Sequence, residues 1–362
     1  MHIAILHPAI SDDASLEDQD TLYQAKAIDE SLRRQGHDVR TIACTLDLEQ
    51  LKKGLTRDRP DVVFNLVESL DGTDSLIGLV PALLDHLGIP YTGNRTESFS
   101  MTTQKVVAKQ AMYFAGIPTA PWYDPVMGDS SELALWPRAT PGIREDVRLV
   151  EGDRLSESEL LAAPCIVKAN WEHASRGMDD RNVLLTGDHE RVRELVASFQ
   201  SATGRPFFAE RYIEGREFTI AMLEGPGGVQ VLPPREIAFG DYPPGKPRIF
   251  CHRAKWVESS FEYDNTTYTF DIAPQDQELV GELCRLAEDC WKLFSLRGYA
   301  RIDLRVDLQG RPWILEVTCN PCLSPESGFS ETSSVGGIEY DGIIGLIVDA
   351  ALRHASGHVA AV

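Results

Sequence analysis

The segment RIDLRVDLQGRPWILEVTCNP, residues 301–321, decides how this chain is read. Two runs within it alternate apolar and polar residues, the mark of half-buried strands. Between them Asp307-Leu308-Gln309-Gly310 carries turn residues, with Gly310 free to take a positive φ. A two-residue loop at Gln309-Gly310 sets Leu308 against Arg311, Val306 against Trp313, Leu304 against Leu315 and Ile302 against Val317, which makes one apolar face. The other face pairs Asp303 with Glu316 and Arg301 with Thr318, and also carries Arg305 and Asp307. A one-residue slip would scramble both faces, so the pattern is expected to set the register. Directly opposed residues have Cβ atoms roughly 4.5–5.5 Å apart. Two carboxylates at that spacing call for a cation or a shared proton. The same residues also fit a solvated hairpin face neutralised by Arg301 and Arg305.

The chain has 362 residues, enough for two or three domains with their own cores. Apolar residues are 43% and charged residues 25%, as in ordinary globular proteins. A net charge of −20 argues against a nucleic-acid partner, which needs a basic surface. A nucleotide needs only a local basic pocket and stays open. No run approaches the roughly 18 apolar residues of a membrane span. MHIAILHPAI lacks a basic flank and reads as a buried first strand rather than a secretory leader. Seven scattered cysteines suit free thiols in a reducing, cytoplasmic setting. Cys319-Asn320-Pro321-Cys322 is formally a CxxC, but no second pair accompanies it and it does not open a helix after a strand.

Along the chain, residues 2–7, 37–42 and 61–67 read as strands, alternating with helices at 21–34 and 76–87. That alternation predicts a parallel α/β unit up to about residue 97. A helix is expected over 101–114, and loops with edge strands over 119–163. Residues 165–168, 207–213 and 217–223 read as strands, and 189–199, 277–294 and 343–354 as helices. Residues 242–247 read as a flexible loop.

Several short stretches could carry chemistry. Lys168 ends a buried strand and meets the loop Asn170-Trp171-Glu172-His173-Ala174-Ser175-Arg176-Gly177-Met178, a place where a phosphate could sit, as could a snorkelling surface lysine. In the segment 210–217, Glu210, Ile213 and Glu217 could offer two acceptors and a backbone edge to a nucleoside, or form an acidic turn. His252-Arg253-Ala254-Lys255-Trp256 follows the 242–247 loop and reads either as a lid that brings charge to a phosphate or as a solvated strand.

Taken in order, Lys105, Lys168 with KANWEHASRGM, ERYIEGREF, HRAKW, RIDLRVD and LEVTCNP resemble the ATP-grasp superfamily, and within it the D-alanine–D-alanine ligase-like branch. PDVVFNLVE and LLDHLGIPYTG extend the likeness to the N-terminal part. The resemblance implies an N-terminal Rossmann-like parallel-sheet domain over 1–97, a central lobe over 98–208 and a C-terminal lobe with the metal site over 209–362. The two α+β lobes would clamp ATP. It implies ATP contacts from Lys105, Lys168, Glu172, Ser175, Glu210, Ile213 and Glu217, and a γ-phosphate contact from Lys255. Arg301 would stabilise the tetrahedral intermediate. Asp303 and Glu316 would hold two Mg²⁺ ions, with Mn²⁺ able to substitute. The implied reaction joins a small carboxylate to an amine, through an acyl-phosphate, with ADP and phosphate as co-products. A homodimer is also implied.

The chain departs from the family in three places. Thr318 stands where the family carries Asn two residues after its metal-binding Glu, leaving Asn320, slightly favoured, or Thr318 as the further ligand. Ser175 is preceded by Ala174 where dipeptide ligases carry a second serine. Cys322 takes the place of a glycine near the acceptor. The last two point to a substrate other than D-alanine. Glu17, in the acidic stretch 11–18, Glu68, Cys322 and Ser327 are the expected substrate-side residues, and an acidic loop would suit a cationic amine. A catalytically weak ATP-binding protein and a phosphotransferase of the same fold are the alternatives.

Overall fold

The computed structural model describes residues 1–11, 14–125 and 161–359. Most of the irregular span 119–163 lies outside the described residues, as do Asp12 and Asp13 of the acidic stretch.

Strands β1 (His2–Pro8), β2 (Asp38–Cys44) and β3 (Val62–Asn65) form a parallel sheet in the order β2-β1-β3. Six of the seven β1 residues are buried, as expected of a central strand covered on both faces. The helix Leu16–Arg34 begins five residues earlier than the apolar period suggests. Ser15 caps it by accepting from the Asp18 amide, Glu17 and Asp18 lie in its first turn, and Arg33 and Arg34 in its last.

Strands β4 (Trp122–Tyr123), β5 (Cys165–Ala169), β6 (Val183–Leu184) and β7 (Phe207–Arg211) form a small antiparallel sheet in the order β4-β7-β5-β6, with the helix His189–Thr203 packed on it. The remaining strands are β8 (Gly215–Gly225), β9 (Gly228–Val231), β10 (Arg235–Phe239), β11 (Thr266–Thr269), β12 (Tyr299–Asp307) and β13 (Pro312–Thr318). They form one antiparallel sheet in the order β11-β10-β8-β12-β13, with β9 paired to β8. The helices Lys105–Ala115 and Gln277–Leu293 cover one face of it. A second core joins Ile3, Ile5 and Phe64 of the parallel sheet to Ala221 and Leu223 of β8 through the helix Tyr340–Val359. The two sheets are therefore buried against a shared layer.

Three expectations need correction. The helix expected over 101–114 is two helices, Thr96–Thr103 and Lys105–Ala115, broken at Gln104 with ψ 97°. The break is satisfied from outside, because the Asn170 carbonyl and side chain accept from the Lys105 and Val106 amides at 3.0 Å each. Residues 252–256 form a short helix, His252–Trp256, not a strand.

The third correction concerns the hairpin. Its loop has three residues, 308–310, with the Asp307 amide bonded to the Arg311 carbonyl at 2.9 Å and Gly310 at φ 80°. This is the pattern of a turn closed by a left-handed glycine. Arg305 consequently faces Trp313 and Leu304 faces Ile314, instead of the expected Leu304–Leu315 and Val306–Trp313 pairs. A β-bulge at Leu315 then shifts the register, and Asp303–Glu316, Ile302–Val317 and Arg301–Thr318 oppose each other as expected. Bulges re-aim side chains next to active sites. Here Ile314 and Val317 join the core, while Leu315, Glu316 and Thr318 line a pocket.

Candidate active site

The pocket lies between the two antiparallel sheets and the start of the helix Leu16–Arg34, with a cavity of about 520 Å³. That is within the usual range for small-ligand sites. It gathers Lys168, Ser175, Glu210, Ile213, Glu217, Lys255, Arg301, Asp303, Glu316, Thr318 and Asn320. Glu17, Glu68, Cys322 and Ser327 also line it. Lys105 and Glu172 stand behind that wall: Lys105 Nζ is 3.0 Å from Glu316 and donates to the Glu172 carbonyl at 2.6 Å, and the Glu172 carboxylate meets Arg205 at 3.0 Å.

The carboxylate pair is neutralised by cations on both sides. Arg301 grips Asp303 with two bonds of 2.7 Å. Burial opposes the charge on Arg301, and Asp303 outweighs that and raises it further. Burial likewise opposes ionisation of Glu316, yet Lys105 and His173 hold it well below the ordinary carboxylate range. Glu316 Oε1 is buried and has no aligned hydrogen bond despite its ion pairs. A buried anionic oxygen of this kind, with Asp303 opposite and the Asn320 and Thr318 oxygens nearby on the wall, is a hard donor set that fits Mg²⁺. Asn320 Oδ1 also accepts from the Tyr299 hydroxyl. Among the described residues no group of three or more His, Cys, Asp or Glu could hold a metal, so any such site rests on the two carboxylates plus neutral oxygens.

Glu210 is fully buried and sits between Lys109 and Lys168, 2.6 Å from each. Burial pushes its carboxyl up, and the two lysines more than reverse that. Burial would lower Lys168, but Glu210 keeps it above its ordinary value; at Lys109 burial wins and the amine is lowered. The Ile213 carbonyl accepts from Arg305 at 2.6 Å, and Arg305 Nε lies 3.2 Å from Glu217. Burial still raises Glu217 despite that neighbour.

The loop after β5 turns on three consecutive or near-consecutive left-handed residues, with φ 57° at Ala174 and at Ser175 and 70° at Gly177. Non-glycine residues in this region cost of order 1 kcal/mol or more each, so the surroundings must impose the shape. Ser175 Oγ donates to the Phe250 carbonyl at 3.1 Å and accepts from Lys255 at 2.8 Å. Arg176 meets Asp18 at 2.7 Å, and Glu17 lies 3.4 Å from both Arg176 and His252. The helix start, the 174–177 loop and the 250–256 segment thus meet over the pocket. Lys255 is lowered by burial, next by Arg301. Glu68 is raised to about 7, chiefly by burial. Cys322 donates to Asp20 at 3.1 Å and its thiol is pushed up by burial, while Cys319 is packed in the core; no disulfide joins any of the cysteines.

Residue order missed Lys109 and Arg235, and it named His173 and Arg305 without giving either a binding role. Lys109 had one readable signal, a lysine on the buried face of its helix with Val106, Met112 and Tyr113. Arg235 had none, because β10 itself was not foreseen.

The family model described as D-ala D-ala ligase C-terminus matches residues 145–349. The D-alanine–D-alanine ligase of Pseudomonas putida strain GB-1 is 29% identical over 333 residues, covering 91% of this chain and 88% of that one. That of Aquifex aeolicus is 27% identical, covering 92% and 96%. Among solved structures, the Bacillus anthracis D-alanine–D-alanine ligase complexed with ATP shares the fold, with a TM-score of 0.69, 21% identity and 99% coverage of both chains. Among the described residues no helix is long and apolar enough to cross a membrane. The match over more than half the chain, on a fold that brings two opposed carboxylates to a lysine-lined pocket, places this protein in the D-alanine–D-alanine ligase-like branch of the ATP-grasp family, as an ATP-dependent ligase that forms C–N bonds.

Proposed function

We propose that the protein joins a small carboxylic acid, such as an amino acid or short peptide, to an amine through an acyl-phosphate, releasing ADP and phosphate. The observation that carries this reading is the opposition of Asp303 and Glu316 in one pocket with Lys168, Lys255 and Arg301. Five charged groups at one spot suit a transfer in which positioning and charge neutralisation do most of the work. Mg²⁺ held by Asp303, Glu316 and the Asn320 or Thr318 oxygen would supply charge neutralisation at the phosphates.

Lys168, oriented by Glu210, would bind phosphate oxygens. Lys255 would reach the γ-phosphate while Ser175 ties it to the phosphate loop. The Ile213 backbone and Glu217 would meet the nucleoside. Lys105 and Glu172 would support the site from behind, Lys105 by orienting Glu316. Arg301 would move from Asp303 towards the oxyanion as the amine attacks.

Glu17, Glu68, Cys322 and Ser327 would form the substrate side. Cys322 and Ala174 favour a substrate other than D-alanine, so formation of D-alanyl-D-alanine at an ordinary enzymatic rate would contradict that part of the reading. The deciding assay is ADP release from Mg-ATP with pooled L- and D-amino acids, with mass spectrometry on each active pool. A new mass equal to two inputs less water supports ligation. A phosphorylated input supports a phosphotransferase, and tight Mg-ATP binding with no stimulated ADP supports a silent ATP-binding protein.

Glu68 makes a pH dependence expected. Its folded value of about 7 lies above that of an unfolded glutamate, so it keeps its proton up to neutral pH and ionises above. The stability linked to holding that proton is present at low pH and lost as pH rises through 7. An ammonium substrate beside it would bind more tightly from about pH 6 to about pH 8. The KM of the amine should fall across that window, and Glu68→Gln should flatten the profile. An unchanged profile in the variant would remove Glu68 from the amine subsite.

A further inference from the structure

Across the large sheet, Tyr268 on β11 opposes Ile237 on β10, Ile237 opposes Glu217 on β8, and Glu217 opposes Arg305 on β12. Opposed residues in antiparallel pairs share a face. Tyr268 therefore stands on the catalytic face, at its edge strand. Two neighbours show that its ring leans away from the nucleoside end. The Arg235 guanidinium is stacked 3.5 Å from the ring centre, and Arg235 belongs to the next row, with Thr219 and Asp303. The Tyr268 hydroxyl is raised by burial and next by Glu331, which lies in the first turn of the helix Gly328–Val335.

Arg235 is itself only 8% exposed, its Nε has no hydrogen-bond partner, and among the described residues it forms no ion pair. A Cβ on residue 328 would come within 1.6 Å of Arg235 Nη1, so Gly328 makes the room the guanidinium occupies. The guanidinium thus covers one face of the Tyr268 ring. Tyr268 still lines the pocket and is 43% exposed, so its other face is open. Tyr263, in the helix Phe261–Asn265 just before β11, also lines the pocket, is 42% exposed, and is close enough to act on the Tyr268 hydroxyl. Trp256 ends the helix His252–Trp256 and lines the pocket as well, with its Nε1 buried and unpartnered. The two short helices are tied together: Arg253 donates to Glu262 at 2.9 Å, and Ser260 Oγ to the Arg253 carbonyl at 3.1 Å. One continuous stretch, 252–268, therefore brings three aromatic side chains to the pocket, two of them with large wetted surfaces. Wetted aromatic surface inside a cleft is a gain held for whatever covers it.

We propose that one substrate of the ligation carries an aromatic side chain, and that Tyr263 and Tyr268, with Trp256, form the subsite that stacks it. The inference rests on the ligase reading above and narrows one of the two substrates to an aromatic amino acid or a similar compound. A basic side chain is disfavoured there, because Arg235 already lies on the far face of Tyr268. The same cation draws electron density from that ring, and an electron-rich aromatic face is the better partner for what remains open. An aliphatic side chain would gain the area and lose the ring pairing.

The test is calorimetry on the full chain with Mg²⁺ and a non-hydrolysable ATP analogue. The probes are phenylalanine, leucine, lysine and alanine, each in both enantiomers. In the native protein phenylalanine should bind about tenfold or more tighter than alanine of the same hand, as expected for burying its side chain. It should bind about threefold tighter than leucine, the gain from pairing rings. Lysine should gain nothing over alanine. Tyr268→Leu should bring the phenylalanine-to-leucine ratio close to one, and Tyr268→Phe, which keeps the ring, should preserve it. Tyr263→Leu should also shrink the ratio, so the inference is decided even if Tyr268→Leu fails to fold by thermal melting. Absence of phenylalanine binding, leucine binding as tightly as phenylalanine in the native chain, or an unchanged ratio in both leucine variants overturns it. ADP release stimulated only by amino acids with small side chains would overturn this inference and leave ligation standing. A phenylalanine preference that is lost in Tyr268→Leu, without any stimulated ADP, would uphold the aromatic subsite and remove ligation.

Discussion

Glu316→Gln is expected to keep the fold and to slow Mg-ATP turnover by about 1,000-fold or more. Charge neutralisation at a transferring phosphoryl group is worth several kcal/mol, and each 1.4 kcal/mol is a factor of ten in rate. Gln keeps the shape of the side chain and removes only its charge, so the loss falls on the metal and the phosphates. The fold should survive because Lys105 retains the Glu172 carbonyl at 2.6 Å when its ionic partner is gone. The check is ADP release titrated with Mg²⁺, with circular dichroism to confirm structure. Turnover at the native rate would refute the role given to the hairpin carboxylates.

Glu210→Ala is expected to give the largest loss of stability of any single change in the site. It leaves Lys109 and Lys168 buried, like-charged and without their shared carboxylate. Breaking a buried ion pair in this way costs about 3–5 kcal/mol, which for a chain of 362 residues corresponds to a fall in Tm of roughly 4–7 °C. Lys109 retains Thr119 Oγ1 at 2.9 Å and the Ala120 carbonyl at 3.0 Å, which limits the damage. Adding Lys109→Met should recover part of the loss, because it removes one of the stranded charges. Denaturant titration of the single and double variants measures both effects. A single variant within about 0.5 kcal/mol of the native protein would mean that the triad contributes little.

Much of this site was legible in the order of its residues, though not always for the right reason. The opposition of Asp303 and Glu316 was read from alternation and a two-residue turn. The actual loop is one residue longer, and a one-residue bulge at Leu315 cancels the difference. Two local errors compensated, because each moves the register by one residue in opposite senses. The start of the helix Leu16–Arg34 was missed for a different reason. Its first turn, Leu16-Glu17-Asp18-Gln19, lacks an apolar period, and the signal lies in the Ser15 cap. Glu210 was assigned to the nucleoside because it stands beside Ile213. In the fold its carboxylate faces the lysines, one of which comes from a helix about a hundred residues earlier.

What the sequence determined by itself is the set of groups and their order: a parallel α/β start, a lysine before a glycine-containing loop, a short basic segment with Lys255, and a hairpin with two carboxylates. These are local properties, written in periodicity of two or 3.6 and in turn residues, and short-range sterics enforce them. Tertiary structure decided which of those groups are paired and which face the cavity. It placed Lys105 behind Glu316, locked Glu210 between two lysines, and left Arg235 buried beside Gly328 with no ion pair among the described residues. Pairing and desolvation depend on segments distant in the chain, and their energies arise only where the packed fold excludes water.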